Sequence, residues 1–308
     1  MKRFFCLLAV LLLLPLTLVH AEKGAHVIDR ITDPTAEPDF SFAPDAELFE
    51  IIFPQILNSD AALLRCGGHA ILMDCSSAHQ SGRVLSLLRE LNVTHLDAVI
   101  NSHPHYDHLQ GLEAIAGQVQ VDELLVSFPL HYNKHMIQAE EVCRKLGIPI
   151  RTYGDMDTYT LGGTTLTAWC KGDDDWNANE LSAIWKVQLG KATALFTGDA
   201  MLKTQLRLLE TVPAEELDID ILKYPHHGLN KLNEDFYNAT TPKFAVITNN
   251  GTKPQEAKYF LKLKRVPMAF TVPGYVSLTT DGETWLIQRI TPGTIVNENT
   301  YADDVQEE

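Results

Sequence analysis

The sequence is short of cysteine, of basic side chains and of long apolar segments. Its 308 residues include 5 cysteines and 25 lysines and arginines against 40 acidic residues, which gives a formal net charge of −15. A chain of this length buries enough apolar surface to fold without cross-links, so a small disulfide-dependent scaffold is not expected. The excess of acid repels polyanions at long range and argues against indiscriminate nucleic-acid binding.

A single long apolar run lies at the N-terminus. Lys2 and Arg3 precede an apolar stretch up to Val19, and Ala21 follows with a small side chain suited to cleavage. This pattern predicts a secretory signal peptide over residues 1–21, cleaved after Ala21, and hence a secreted protein. The run is shorter than the roughly 20 residues that span a bilayer, so no stable membrane insertion is expected. Cleavage would remove two basic residues and no acidic one, taking the net charge from −15 to −17.

The rest of the chain predicts one large α/β domain. Residues 22–46 are rich in Pro, Asp and Ala, which predicts a linker or lightly packed arm. From residue 47 to 290, short apolar runs alternate with helical patterns, which is typical of strands mixed with helices. Residues 291–308 form an acidic tail that is expected to fray. Two disulfides or free thiols both stay open for the four cysteines of the domain, which are Cys66, Cys75, Cys143 and Cys170.

The densest chemistry lies in the segment His103-Pro-His-Tyr-Asp-His108, which follows an apolar run that predicts a buried strand. In an extended segment, side chains two residues apart point the same way, so His103 and His105 can bind one metal ion together. Asp107 and His108 lie where the chain turns into a helical pattern, and can face a second ion. Four ligand-type side chains in six positions favour a metal site over unrelated histidines.

This His-x-His-x-Asp-His segment resembles the signature of the metallo-β-lactamase fold superfamily, and further segments follow in that family's order. Residues 61–74 are similar to its opening hairpin, residues 194–199 to its strand ending in Gly-Asp, and residues 219–228 to the segment that carries its last histidine ligand. The resemblance covers roughly residues 47–289. It implies an α/β fold of four layers, an αββα sandwich, with ligands on loops along one edge.

Two details resemble one branch of this family. Asn179-Glu-Leu-Ser182 ahead of a strand, together with Pro225-His-His-Gly228, is similar to the ComEC-like branch. That branch includes the soluble domain of DNA-uptake competence proteins and the phosphorylcholine esterases of bacterial surfaces. Phosphoester chemistry is therefore the expectation that this resemblance adds.

The resemblance also implies a ligand set. One ion is expected at His103 and His105, and the other at Asp107, His108 and His227, with Asp199 bridging them. The cofactors would be two divalent metal ions, zinc first, with manganese and iron as alternatives. Many family members have one more histidine ligand for the first ion. The residues here that lie nearest its place are Cys170, Asp173, Asp174, Asp175 and Asn179, so this third ligand stays open.

We expect catalysis and substrate binding to involve one of these ligands and several side chains beside them. Asp107 is expected to be both ligand and catalytic carboxylate. Because neighbouring residues in an extended loop point apart, one of His226 and His227 would ligate and the other would face the substrate. The resemblance assigns the ligand role to His227, which leaves His226 to bind a phosphoryl oxygen or protonate a leaving group. Asp74 would orient a ligand histidine or accept a proton, unless it is an ordinary acid at a strand end. Asn179 and Ser182 would position the substrate or buttress their loop.

Two ions in such a site lower the pKa of a bound water from about 15.7 to near 7 and clamp the attacked and leaving oxygens. The predicted function is a secreted binuclear metal-dependent hydrolase, most simply a phosphodiesterase that uses a metal-bound hydroxide. Its substrate would be a small-molecule or surface-bound phosphoester, such as a phosphorylcholine-like group, or a nucleic-acid strand; no partner protein is indicated. The alternatives are a carbonyl-directed hydrolase (lactonase, thioesterase or β-lactamase) and a catalytically inactive binding module.

Overall fold

The structure of the protein, a computed structural model, describes residues 24–252 and 256–292. The predicted signal peptide, and all but two residues of the predicted acidic tail, lie outside these ranges. The described part of the chain contains both helices and strands, and most of the strands belong to two large sheets.

Within these ranges the strands are β1 His26–Asp29, β2 Phe49–Phe53, β3 Ala61–Cys66, β4 His69–Cys75, β5 His95–Leu96, β6 Ala98–Ile100, β7 Gln120–Val121, β8 Leu124–Val126, β9 Ile150–Thr152, β10 Thr158–Leu161, β11 Thr164–Trp169, β12 Ile184–Leu189, β13 Ala192–Phe196, β14 Ile221–Lys223, β15 Phe244–Ile247, β16 Met268–Phe270, β17 Tyr275–Thr280 and β18 Thr284–Ile290. The helices are α1 Ser81–Glu90, α2 Tyr106–Leu109, α3 Leu112–Ala116, α4 Lys134–Leu146, α5 Leu202–Thr211, α6 Ala214–Leu217, α7 Glu234–Thr240 and α8 Glu256–Lys264, with a 3₁₀ turn at Pro225–Gly228.

The two large sheets each contain a parallel section. The first sheet has the order β1-β18-β17-β2-β3-β4-β6-β8-β9, and its strands from β4 to β9 are parallel. The second has the order β10-β11-β12-β13-β14-β15-β16, and its strands from β13 to β16 are parallel. The short strands β5 and β7 pair separately.

Three apolar cores show how the layers stack. One core lies between the sheets and includes Phe53 and Phe196, whose rings stack with centroids 6.0 Å apart. A second lies between the first sheet and α1, α3 and α4, and a third between the second sheet and α5, α7 and α8. Alternate residues of β2 divide between two of these cores, with Ile51 facing the other sheet and Ile52 the helices. The predicted four-layer αββα sandwich is confirmed.

Both faces of each sheet are covered, which explains why β3 and β13 are apolar along nearly their whole length. The parallel sections also fix where loops meet. Asp74 lies near the carboxyl end of β4, and the segment from Asn101 follows β6. The turn at Gly198 follows β13, and the 3₁₀ turn follows β14. In open α/β sheets such ends are where ligands bind.

The segment predicted as a linker or arm over residues 22–46 needs a correction. Its residues His26–Asp29 form β1, which pairs in parallel with β18 at the edge of the first sheet. Ile28 is buried there, and Ala25 donates its N–H to the buried carboxylate of Asp220. The Pro-rich part that follows is irregular, as its composition predicts, but residues 25–29 are tied to the domain.

The described cysteines are all free thiols, and Cys66, Cys75 and Cys143 are buried. The described part of the chain is therefore held together by its apolar cores and not by disulfides, in line with its length. No helix in residues 24–252 or 256–292 is both long enough and apolar enough to span a membrane.

The helical pattern into which the chain turns at Asp107 and His108 is interrupted at Gly111. The carbonyl of Asp107, which would accept the Gly111 N–H in a continuous helix, instead accepts the N–H of Asp60 and the hydroxyl of Ser59, while Gly111 donates to the Ser76 carbonyl. The chain thus forms two short helices, α2 and α3, docked against the end of β4. This docking carries Asp107 and His108 to the edge of the sandwich.

We expect Gly111→Ala to destabilise the fold, because a Cβ there would lie 1.8 Å from the Cys75 carbonyl oxygen. Overpacking of this kind costs about 1–3 kcal/mol in free energy of unfolding. Gly82→Ala, in α1 with open space around its Cβ, is the matched control and should be neutral or stabilise by roughly 0.5–1 kcal/mol. Chemical denaturation of both variants tests this, and equal stabilities would contradict the docking described here.

Candidate metal centre

Two histidines and two carboxylates converge at the carboxyl ends of β6, β13 and β14. Nε2 of His108 lies 3.2 Å from Oδ1 of Asp199, and Nε2 of His227 lies 3.6 Å from the same oxygen. Nε2 of His227 is also 3.3 Å from Oδ2 of Asp107. We call this set, Asp107, His108, Asp199 and His227, the second metal site.

The second metal site has the chemistry that a cation requires. Nε2 of His108, Nε2 of His227 and Oδ1 of Asp199 are buried and have no hydrogen-bond partner among the described residues. A buried polar atom without a partner costs about 1–3 kcal/mol, and three that point at one another need a common partner. Imidazole nitrogens and carboxylate oxygens are ligands that divalent zinc accepts, so the residues present fit a metal ion.

A first metal site lies at Oδ2 of Asp199, the carboxylate oxygen that the second metal site does not use. Nε2 of His103 is 3.1 Å from Nδ1 of His105 and 3.7 Å from Oδ2 of Asp199. His103 is fully buried, whereas His105 is partly exposed. Asp199 thus offers one oxygen to each site, and the whole arrangement is compatible with a dinuclear metal centre.

Each histidine of the second metal site is oriented by a buried carboxylate behind it. Nδ1 of His108 is 2.8 Å from Asp74, and Nδ1 of His227 is 3.1 Å from Asp60. A hydrogen bond at Nδ1 leaves Nε2 free for a metal and fixes the ring. Of the roles predicted for Asp74, catalytic or orienting, its geometry fits the orienting one, because this residue is 2 % exposed and also accepts the N–H and hydroxyl of Ser102.

Electrostatics at the centre oppose the effect of burial. Burial by itself would raise the pKa of Asp199, but the imidazoles of His108 and His227 hold it well below its usual value. Burial would lower the pKa of His227, yet Asp199 and Asp60 raise it to about 9. Burial and the neighbouring His108 hold the pKa of His103 well below its usual value, which keeps that ring neutral and able to ligate.

The two adjacent histidines do not point apart as an extended loop would require. His226 and His227 both adopt left-handed backbone conformations, with φ of 51° and 50°. This tight turn brings Nε2 of His226 to 3.7 Å from Oδ2 of Asp199, while His227 faces Oδ1. Nδ1 of His226 bonds Asn230 at 2.5 Å, and the ring keeps one partly open face.

The two residues predicted to bind substrate, Asn179 and Ser182, have different surroundings in the structure. Ser182 is buried, and its hydroxyl accepts the N–H of Asp199, so it buttresses the turn that carries the bridging carboxylate. Asn179 holds a buried Oδ1 that has no partner among the described residues. Of the residues nearest the missing ligand position, Asp173 is exposed and bonds Arg207 at 2.6 Å. Among the described residues, none of the groups of His, Cys, Asp and Glu side chains that could hold a metal ion includes Cys170, Asp173, Asp174 or Asp175.

Asp60 lies beside the ligand histidines and was not among the residues predicted from the sequence. It precedes β3, whose first residue pairs with Cys75 at the end of β4, so it meets Asp74 at the same edge. The two predicted strands and their Gly67-Gly68 turn already implied this antiparallel pairing. An acid just before β3 could therefore have been placed beside the site from the sequence.

Comparison with known proteins identifies the family. The profile described as "Beta-lactamase superfamily domain" matches residues 69–224, just over half of the chain. The chain belongs to the beta-lactamase superfamily. It therefore has the fold and the ligand types of this superfamily's metal-dependent hydrolases. No curated protein sequence matches the chain.

Two solved structures are similar to this chain at low sequence identity. CmlA, a diiron beta-hydroxylase from Streptomyces venezuelae, is 13% identical with a TM-score of 0.51, over 78% of this chain and 55% of CmlA. A metallo-beta-lactamase from Cronobacter sakazakii, a HARLDQ motif mutant, is 19% identical with a TM-score of 0.38, over 59% and 77% of the two chains. The chain thus spans little more than half the length of CmlA. At 13% identity the likeness to CmlA establishes the fold alone.

We expect metal binding at the second metal site to release protons. The pKa of His227 is raised to about 9 and that of His108 is also raised, in both cases because nearby carboxylates outweigh burial. Both rings are therefore protonated at pH 7 in the metal-free protein, and a metal must displace those protons. Apparent zinc affinity should rise with pH up to about 9, as measured by calorimetry in buffers of different ionisation enthalpy. An affinity independent of pH, without proton release, would contradict this.

Proposed function

We propose that the protein is a binuclear metal-dependent phosphodiesterase of the ComEC-like type. The observation that carries the proposal is the pair His226 and His227, which approach the two oxygens of Asp199 from a single turn. His227 then serves the second metal site. His226 retains a partly open ring beside both sites, where a phosphoryl group would lie.

In phosphodiester cleavage the metal ions and the protein side chains would have different roles. Two divalent ions, held by the histidines and carboxylates of the first and second metal sites, would supply a hydroxide nucleophile near neutral pH and a clamp for the attacked and leaving oxygens. His226 would donate from Nε2 to a phosphoryl oxygen or to the leaving alkoxide. Its Nδ1 is held by Asn230, which fixes the ring for that task. Asp107 and Asp199 keep the second metal site anionic, which balances the charge of the ions.

The net charge of the protein and its predicted export limit the class of substrate that we propose. The formal net charge of −15 disfavours a long duplex and favours a small or surface-bound phosphodiester, such as a phosphorylcholine-like group. A short single strand of nucleic acid stays compatible, because two cations dominate the local field. The signal peptide predicted over residues 1–21 supports export, where such head groups occur. Zinc is the metal that the histidine-rich set favours.

An activity panel on the purified protein with added zinc or manganese tests the substrate class. The panel contains bis-nitrophenyl phosphate, nitrophenyl phosphorylcholine, single-stranded DNA, a chromogenic cephalosporin and a lactone. We expect phosphodiester cleavage that Asp199→Ala abolishes, because this change removes the carboxylate shared by both sites. Turnover of the carbonyl substrates without phosphodiester turnover would favour a lactonase, thioesterase or β-lactamase, and would overturn the proposal. Absence of metal uptake and of all turnover would favour an inactive binding module.

Alanine at each of the paired histidines separates their roles. His226→Ala should keep two metal ions and lower kcat by about 10²–10⁴-fold, the range for loss of a positioned acid or base. His227→Ala should lose one ion per chain, because it removes a ligand nitrogen. Metal content by elemental analysis, measured beside kcat, checks both expectations. An ion lost from His226→Ala would instead make His226 a ligand.

A further inference from the structure

A buried ion pair lies directly behind the second metal site. Asp60 is 4 % exposed, and Nζ of Lys223 bonds its Oδ2. Lys223 is 3 % exposed and also donates to the carbonyl of Gly198 at 3.1 Å. Burying two charges is costly unless each is well paired and hydrogen-bonded, so such a pair needs a reason beyond stability.

The other oxygen of Asp60 faces the metal ligand. Oδ1 lies 3.1 Å from Nδ1 of His227 and accepts the hydroxyl of Thr248 at 2.6 Å. Thr248 lies at the carboxyl end of β15 and is itself 3.0 Å from Nδ1 of His227. The carboxylate thus bonds a ligand histidine with one oxygen and the buried lysine with the other.

Lys223 links this carboxylate to the bridging one. The Gly198 carbonyl that it binds belongs to the residue before Asp199, in a turn where Gly198 has φ of +47°. The same carbonyl accepts the N–H of His226. Lys223 therefore contacts both the group that orients His227 and the turn that carries Asp199.

We propose that Asp60 is a positioning residue of the second metal site, which fixes His227 through Nδ1, and that Lys223 is its counter-charge and pins the Asp199 turn. The pair matches Asp74, which holds His108 in the same way from the neighbouring strand end. The two ligand histidines of this site are thus each held by a carboxylate from one end of the β3–β4 hairpin. The proposal rests on the metal centre and not on the identity of the substrate.

The test measures zinc affinity at each of the two sites by competition with a chelator, and the visible spectrum of the cobalt-substituted protein. Asp60→Asn should weaken one of the two ions by about 10–100-fold, the usual effect of losing such a partner, and leave the other unchanged. It should also lower the unfolding midpoint of the metal-free protein, because it leaves Lys223 buried without its carboxylate. Thr248→Val, a milder change, should weaken the same ion to a smaller extent.

Removing both charges separates positioning from stability. Asp60→Asn combined with Lys223→Met should recover the unfolding midpoint while zinc affinity stays low and the cobalt spectrum stays altered. Glu216→Gln is the matched control, since it unpairs another buried lysine, Lys186, whose Nζ lies 2.5 Å from Glu216. This control should change stability alone. If the double variant binds both ions with the parent affinity, or if Asp60→Asn alone weakens both ions equally, the proposal is wrong.

Discussion

The site depends on one desolvated carboxylate. Asp199 is 1 % exposed, yet one of its oxygens has no hydrogen-bond partner among the described residues, and imidazoles of four histidines approach it from both sides. A buried carboxylate is stable only when positive charge lies near it. His108 and His227, whose pKa values are raised, provide that charge in the metal-free protein, and divalent ions would provide it otherwise. The same constraint explains why the pKa of Asp199 is held low and that of His227 is raised.

The fold meets this constraint by bringing strand ends from two sheets to one edge. Asp74 lies near the end of β4 and the segment from His103 follows β6, both parallel strands of the first sheet. Asp199 and His227 follow the parallel strands β13 and β14 of the second sheet. Because the sheets pack face to face through an apolar core, residues far apart in sequence meet within hydrogen-bond distance. Stability and function are coupled here, since the buried Asp60–Lys223 pair spans the two sheets.

The sequence predicted much of this arrangement because its signals are local. The short apolar runs among helical patterns predicted the mixture of strands and helices that forms the two sheets and their covering helices, and the hairpin expected over residues 61–74 is formed by β3 and β4. Six residues from His103 to His108 were sufficient to propose a metal site. What could not be predicted depends on tertiary contacts. The left-handed turn at His226 and His227 reverses the expectation for an extended loop, and the break at Gly111 arises because the Asp107 carbonyl bonds Asp60 and Ser59.

The central claim is that scattered histidines and acids form one dinuclear centre around Asp199. Crystals grown with zinc and measured above and below the zinc absorption edge test it directly. We expect two anomalous peaks a few ångströms apart, one at Nε2 of His108 and His227, the other at Nε2 of His103 and Nδ1 of His105, with Asp199 between them. No peak at this edge of the sandwich, or ions bound only elsewhere on the protein, would contradict the account.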